Sequence, residues 1–138
     1  MKSIFILLLL PILFVQTTFG QSQKTFVKSL TANTSSISVD LGGKTEVTEW
    51  EESFVRVTTT ITLSNFNEEI LKRLVTVGRY NIETTINNGI MTIQMPKLVT
   101  KVTIRGQVLN ETLSYEVLVP EGMTVEVVEN QNPAATVN

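Results

Sequence analysis

The 138-residue chain contains no cysteine and no histidine. Without cysteine there is no disulfide, no thiolate nucleophile and no lipid-anchored cysteine behind an export signal. Without histidine the commonest general base and the commonest metal ligand are both missing. Aspartate is nearly absent too: Asp40 stands alone, and no D-x-D-x-D-G calcium loop is present. Charge is sparse and scattered, with 11 basic against 13 acidic residues and a net charge of −2. No basic block exists, which argues against nucleic acid and anionic membranes as partners. No cofactor motif occurs.

What is present begins with an address. Lys2 precedes an unbroken apolar run, Ile4 to Val15, and the polar stretch Gln16-Thr17-Thr18 follows. Thr18 and Gly20 occupy the small-residue positions of a cleavage site before Gln21. Residues 1–20 are therefore predicted to be a secretory signal peptide. The run is shorter than the roughly 20 apolar residues of a membrane span, and Pro11 interrupts it, so no stable span is expected after cleavage. The expected location is the periplasm, the cell surface or the extracellular space. Export without cysteine points to a bacterial envelope. The N-x-S/T triplets at Asn33 and Asn110 arise easily in a threonine-rich chain and matter only in a eukaryotic source. Residues 21–130 are expected to form a single β-rich domain, and residues 131–138 a polar C-terminal tail.

Within that domain strand periodicity dominates. In Phe54–Leu63, Val55, Val57, Thr59, Ile61 and Leu63 alternate with Arg56, Thr58, Thr60 and Thr62, the pattern of a half-buried strand. Further strands are predicted at Thr25–Leu30, Ile37–Leu41, Thr45–Trp50, Tyr80–Asn87, Ile90–Met95, Thr100–Val108, Leu113–Val119 and Thr124–Glu129. Gly42-Gly43 and Pro120-Glu121-Gly122 mark turns, and Asn88-Gly89 marks a type I′ hairpin. One segment, about 67–77, has helical period. Phe66, Ile70, Leu71, Leu74 and Val75 form its apolar stripe, Glu68–Lys72 and Glu69–Arg73 are i,i+4 pairs, and Gly78 stops it. Asn65 is the predicted cap, with Glu68 as its partner. The expectation is a mainly β domain, a short β-solenoid or a β-sandwich-like fold, carrying one amphipathic helix.

Three stretches carry a family resemblance: Glu46–Glu51 followed by Phe54–Val57, Asn88–Ile93, and Tyr115–Val125. Over roughly residues 35–128 the chain resembles the bacterial secreted "putative adhesin" domains. That resemblance implies a secreted β-solenoid-like fold and brings no catalytic residues to carry over. Two departures stand out: a helix where a plain solenoid needs only a loop, and few residues after the Pro-x-Gly strand.

Candidate chemistry is thin. Glu46, Glu49, Glu51 and Glu52 surround Trp50, a setting compatible with glycosidase carboxylates, yet no second marked carboxylate completes a pair. A solvated acidic turn is the simpler reading. Trp50 either stacks on a sugar or packs over a sheet edge. Thr58, Thr60 and Thr62 form one hydroxyl row, which is ordinary for a wet strand face. The chain thus reads as an exported, non-catalytic binding or adhesin-like module of the bacterial envelope, taking a protein or glycan partner. The alternative is a self-associating envelope protein, a homo-oligomer paired through sheet edges. A small carboxylate-dependent hydrolase ranks last. The candidate partner contacts are Trp50, Val125, Val127 and Val128, the valines because no further strand is expected to cover Thr124–Glu129.

Overall fold

The computed structural model describes residues 21–129. The expected signal peptide, residues 1–20, and the polar tail, residues 131–138, lie outside them. Ten strands and one α-helix run in the order β1 (Ser22–Thr31), β2 (Ser36–Asp40), β3 (Lys44–Trp50), β4 (Phe54–Leu63), α1 (Glu68–Thr76), β5 (Glu83–Asn87), β6 (Ile90–Gln94), β7 (Thr103–Ile104), β8 (Gln107–Val108), β9 (Glu111–Pro120) and β10 (Thr124–Val127). A 3₁₀ turn, Pro96–Val99, follows β6.

The strands form two open four-stranded sheets and a small hairpin. The first sheet has the order β1-β4-β9-β3, antiparallel except for the parallel β3–β9 pair. The second has the order β10-β2-β6-β5, with β2 parallel to both β10 and β6. Alternation builds the core. Val55, Val57, Ile61 and Leu63 of β4 are fully buried, as are Val117 and Val119 of β9. Ile37 and Val39 of β2 and Met91 and Ile93 of β6 join them in one cluster. The Tyr115 hydroxyl of β9 reaches the Met95 Sδ just past β6, at 3.8 Å. The sandwich-like reading describes this arrangement. The solenoid reading does not, because a solenoid stacks its turns in chain order. Here β10 pairs on the outer side of β2, and β5 occupies the outer side of β6.

Glycine turns carry the chain between sheets. A Cβ at Gly43 would lie 2.3 Å from the Leu113 carbonyl oxygen, so no larger residue fits where β2 hands over to β3. Asn88 (φ 51°) and Gly89 (φ 76°) make the predicted β5–β6 hairpin. A second turn of this kind, Arg105 (φ 50°) and Gly106 (φ 79°), corrects the prediction of one strand over Thr100–Val108. It folds that stretch into the β7–β8 hairpin.

The helix is capped by Asn67, not Asn65. The Asn67 Oδ1 accepts the Ile70 N–H at 3.1 Å. Asn65 is engaged elsewhere, accepting the Asn110 N–H and donating to the Val108 carbonyl. The far end closes as a Schellman motif: the Arg79 N–H reaches the Leu74 carbonyl, and the Gly78 N–H reaches that of Val75. Leu71 and Leu74 are buried, and Phe66, Ile70 and Val75 pack beside them. Both i,i+4 ion pairs form on the exposed side. Leu71→Ala should therefore cost about 2–5 kcal/mol as a core truncation. Lys72→Ala should cost less than about 0.5 kcal/mol. Urea unfolding of the two variants checks this, and equal losses would contradict a helix packed on one face.

Candidate interaction surface

The acidic turn is solvent-exposed at every carboxylate: Glu46, Glu49, Glu51 and Glu52 all face water. Strand alternation divides Glu46 from Glu49, which point to opposite faces of β3. Glu46 lies in register with Glu116 of β9 on the outer face, and Lys44 approaches it at 3.7 Å. Among the described residues no group of three or more acidic side chains is arranged to hold a metal.

Trp50 packs instead of standing free. Its Nε1–H donates to the Phe54 carbonyl at 2.9 Å across the β3–β4 turn. The Phe54 ring meets it edge-on, with centroids 4.9 Å apart. The Arg56 guanidinium covers one face of the indole at 4.9 Å. The Arg56 Nε is buried there with no hydrogen-bond partner among the described residues, so the cation–π contact is its main compensation. Trp50 thus closes a turn, and one of its faces is lost to any sugar ring.

The valines stand at a sheet edge. Among the described residues β10 has one neighbour, β2, in parallel register from Thr124–Ser36 to Val127–Val39. The Thr124 N–H donates to Ser35 and the Val128 N–H to Val39. Amide direction alternates along a strand, so Thr124, Glu126 and Val128 turn toward β2. Val125 and Val127 then turn their N–H and C=O groups to the open side. Val125 packs partly on the core, Val127 is 39% exposed, and Val128 is half-buried. Trp50 and these valines lie on different sheets and do not form one site.

The other edges carry more charge. β1 bears Lys24 and Lys28 in the row that pairs with buried Ile61 and Val57 of β4. Inward lysines on an edge strand discourage pairing. β3 carries Lys44, Glu46 and Glu49, and β5 opens on Glu83. β10 has Glu126 alone.

The sequence reading missed a buried polar cluster. It placed Tyr80 at the start of a strand and gave Arg79 no role, whereas β5 begins at Glu83. The Schellman turn instead drives Arg79 and Tyr80 inward, to 6% and 8% exposure. Arg79 makes a two-pronged ion pair with Glu111 at the start of β9, Nη2 to Oε1 and Nε to Oε2. Its Nη1 donates to the carbonyls of Lys97 and Thr100 at 3.1 and 2.9 Å. The Tyr80 hydroxyl donates to Glu111 at 2.7 Å. Burial pulls the Arg79 pKa down, but the hydrogen bond and charge of Glu111 outweigh it and the net shift is upward. The signal available in sequence was slight: a charged residue directly after a helix-stopping glycine.

No family model matches the chain, and no curated protein does. Among solved structures it is similar to a "putative cell adhesion protein" from Clostridium sporogenes ATCC 15579. The two are 15% identical with a TM-score of 0.43, over 77% of this chain and 46% of that one. The chain thus spans less than half the length of that protein. No helix among the described residues is long and apolar enough to cross a membrane.

Two tests address the buried cluster. Glu111→Gln leaves Arg79 buried without its counter-charge, and a loss of about 3–5 kcal/mol is expected in denaturant unfolding. A loss below about 1 kcal/mol would show that water reaches the pair. The second test is alkaline. Burial raises the pKa of both tyrosines of the chain, Tyr80 and Tyr115, with Glu111 adding to each. An unfolded tyrosine ionises near about 10, so above that pH the unfolded state sheds protons that the folded state keeps. This contribution to stability is whole below about pH 10 and is lost as the pH rises further. Tyrosinate absorbance should then appear only together with loss of the β-sheet circular dichroism signal. Ionisation of either tyrosine in the folded protein near its ordinary value would contradict the burial.

Proposed function

We propose that this chain is an exported, non-catalytic binding module of the bacterial envelope that takes up an extended segment of a partner polypeptide at β10. The observation that carries the reading is the open side of β10, where the Val125 and Val127 backbone groups face away from β2. Strand addition at such an edge draws affinity from main-chain hydrogen bonds. A polypeptide supplies that repeating donor–acceptor row and a glycan does not, so the protein partner is preferred. The lysines of β1 and the charges of β3 discourage the same event on the first sheet. The exposed carboxylates near Trp50 suit a solvated turn better than a hydrolytic centre.

A second reading uses the same edge for a second copy. It is favoured by β5, the opposite edge of that sheet, whose residues are all exposed and which presents Ile86 at 59% exposure. A β10-to-β5 contact between copies would continue the sheet head to tail.

Val127→Pro separates the readings from a closed edge. Proline removes the outward N–H, and edge strands tolerate it. The variant should keep the wild-type unfolding midpoint and lose about tenfold or more in affinity for the partner, or for itself. Sedimentation over a concentration range tells a separate partner from self-association. A wild type that stays monomeric, captures nothing from an envelope extract and protects the Val125 and Val127 amides from exchange would sink both.

A further inference from the structure

The inward row of β4 is apolar except for Thr59, which is 2% exposed among neighbours at 0%. Thr59 lies where the core is incomplete. As the chain leaves α1, residues 80–82 return toward β1 and leave a cleft of about 210 Å³. Val57 and Thr59 line it from β4, Phe26 and Lys28 from β1, Val75 from the helix and Ile82 from the returning loop. Most of that lining is apolar. The cation is Lys28, whose Nζ donates to the Ile82 carbonyl at 3.0 Å. An ammonium has three N–H donors, so two remain. Lys28 is in no ion pair among the described residues.

An apolar concavity with one convergent charge and one hydroxyl is the usual form of a site for an amphiphilic small molecule. The charge fixes the sign of the head group, because an ammonium with no ion-pair partner among the described residues attracts an anion. The geometry points to a binding site for a medium-chain carboxylate, its tail between Phe26 and Val75 and its carboxylate on Lys28. The site lies on the first sheet and shares no residue with β10, so it stands or falls independently of the proposed partner edge.

The probe is octanoate, with 1-octanol and N-acetyl-leucine for comparison, titrated into the protein and followed by methyl and amide NMR shifts. Octanoate should bind saturably and move the signals of Val57, Val75 and Ile82 while leaving Val125 and Val127 in place. Lys28→Gln, at an exposed position, should keep the unfolding midpoint. It should weaken octanoate by about tenfold, the scale of one charge-assisted hydrogen bond, without changing 1-octanol. Val75→Phe, which fills the cleft, should weaken both. N-acetyl-leucine, which carries the head group of a peptide C-terminus, should bind less tightly than octanoate. The proposal is overturned by non-saturable shifts, by shifts elsewhere on the surface, by an unchanged octanoate affinity in Lys28→Gln, or by N-acetyl-leucine binding more tightly.

Discussion

A buried ion pair holds three separate parts of this chain to one point. Arg79 leaves the helix, Lys97 and Thr100 flank the end of the 3₁₀ turn, and Glu111 opens β9. The guanidinium spends its donors on the other two. A charge at 6% exposure is strongly unfavourable without a counter-charge, so these segments are stable there only together. That condition sets where β9 begins, and β9 in turn lies between β4 and β3 in the first sheet. It also sets the path of residues 80–82, and with it the cleft beside β1.

Around that anchor the energetics are those of two facing sheets. β1, β2, β4, β6 and β9 contribute buried residues to a common core, with Val47 of β3 and Val125 of β10 packed against it, whereas β5 is exposed throughout. The outer face of the first sheet carries Thr58, Thr60 and Thr62 on β4 and Ser114 and Glu116 on β9. It is a wet surface with ordinary β-formers. The edges differ in kind. Lysines placed in the inward row of β1 discourage pairing at a long strand. β10 is only four residues long, and shortness is itself a protection.

Much of the local structure was legible in the residues. The ten-residue β4 was read from its alternation, the β5–β6 hairpin from Asn88-Gly89, and the helix from its apolar stripe and i,i+4 pairs. Among the described residues Thr124–Val127 lies at the edge of its sheet, which the tertiary structure and not the sequence placed there. Misreadings arose where local and distant demands competed. Asn65 has the side chain of a cap, but its hydrogen bonds go to Val108 and Asn110, and Asn67 takes the cap. Thr100–Val108 has the composition of one strand, but Arg105 adopts a left-handed conformation beside Gly106 and folds it back.

The sequence by itself determined the period of each element, the sites of its tight turns and the absence of thiol and imidazole chemistry. These are properties of neighbouring residues, set by side-chain alternation and by the steric freedom of Gly and Asn. Only the tertiary structure decided that β10 pairs with β2 and not beyond β6, that Trp50 closes a turn under Arg56, and that Arg79 finds Glu111. Each of these joins residues whose mutual distance is fixed by the packing of two sheets, and local periodicity carries no record of which distant strand will supply the missing neighbour.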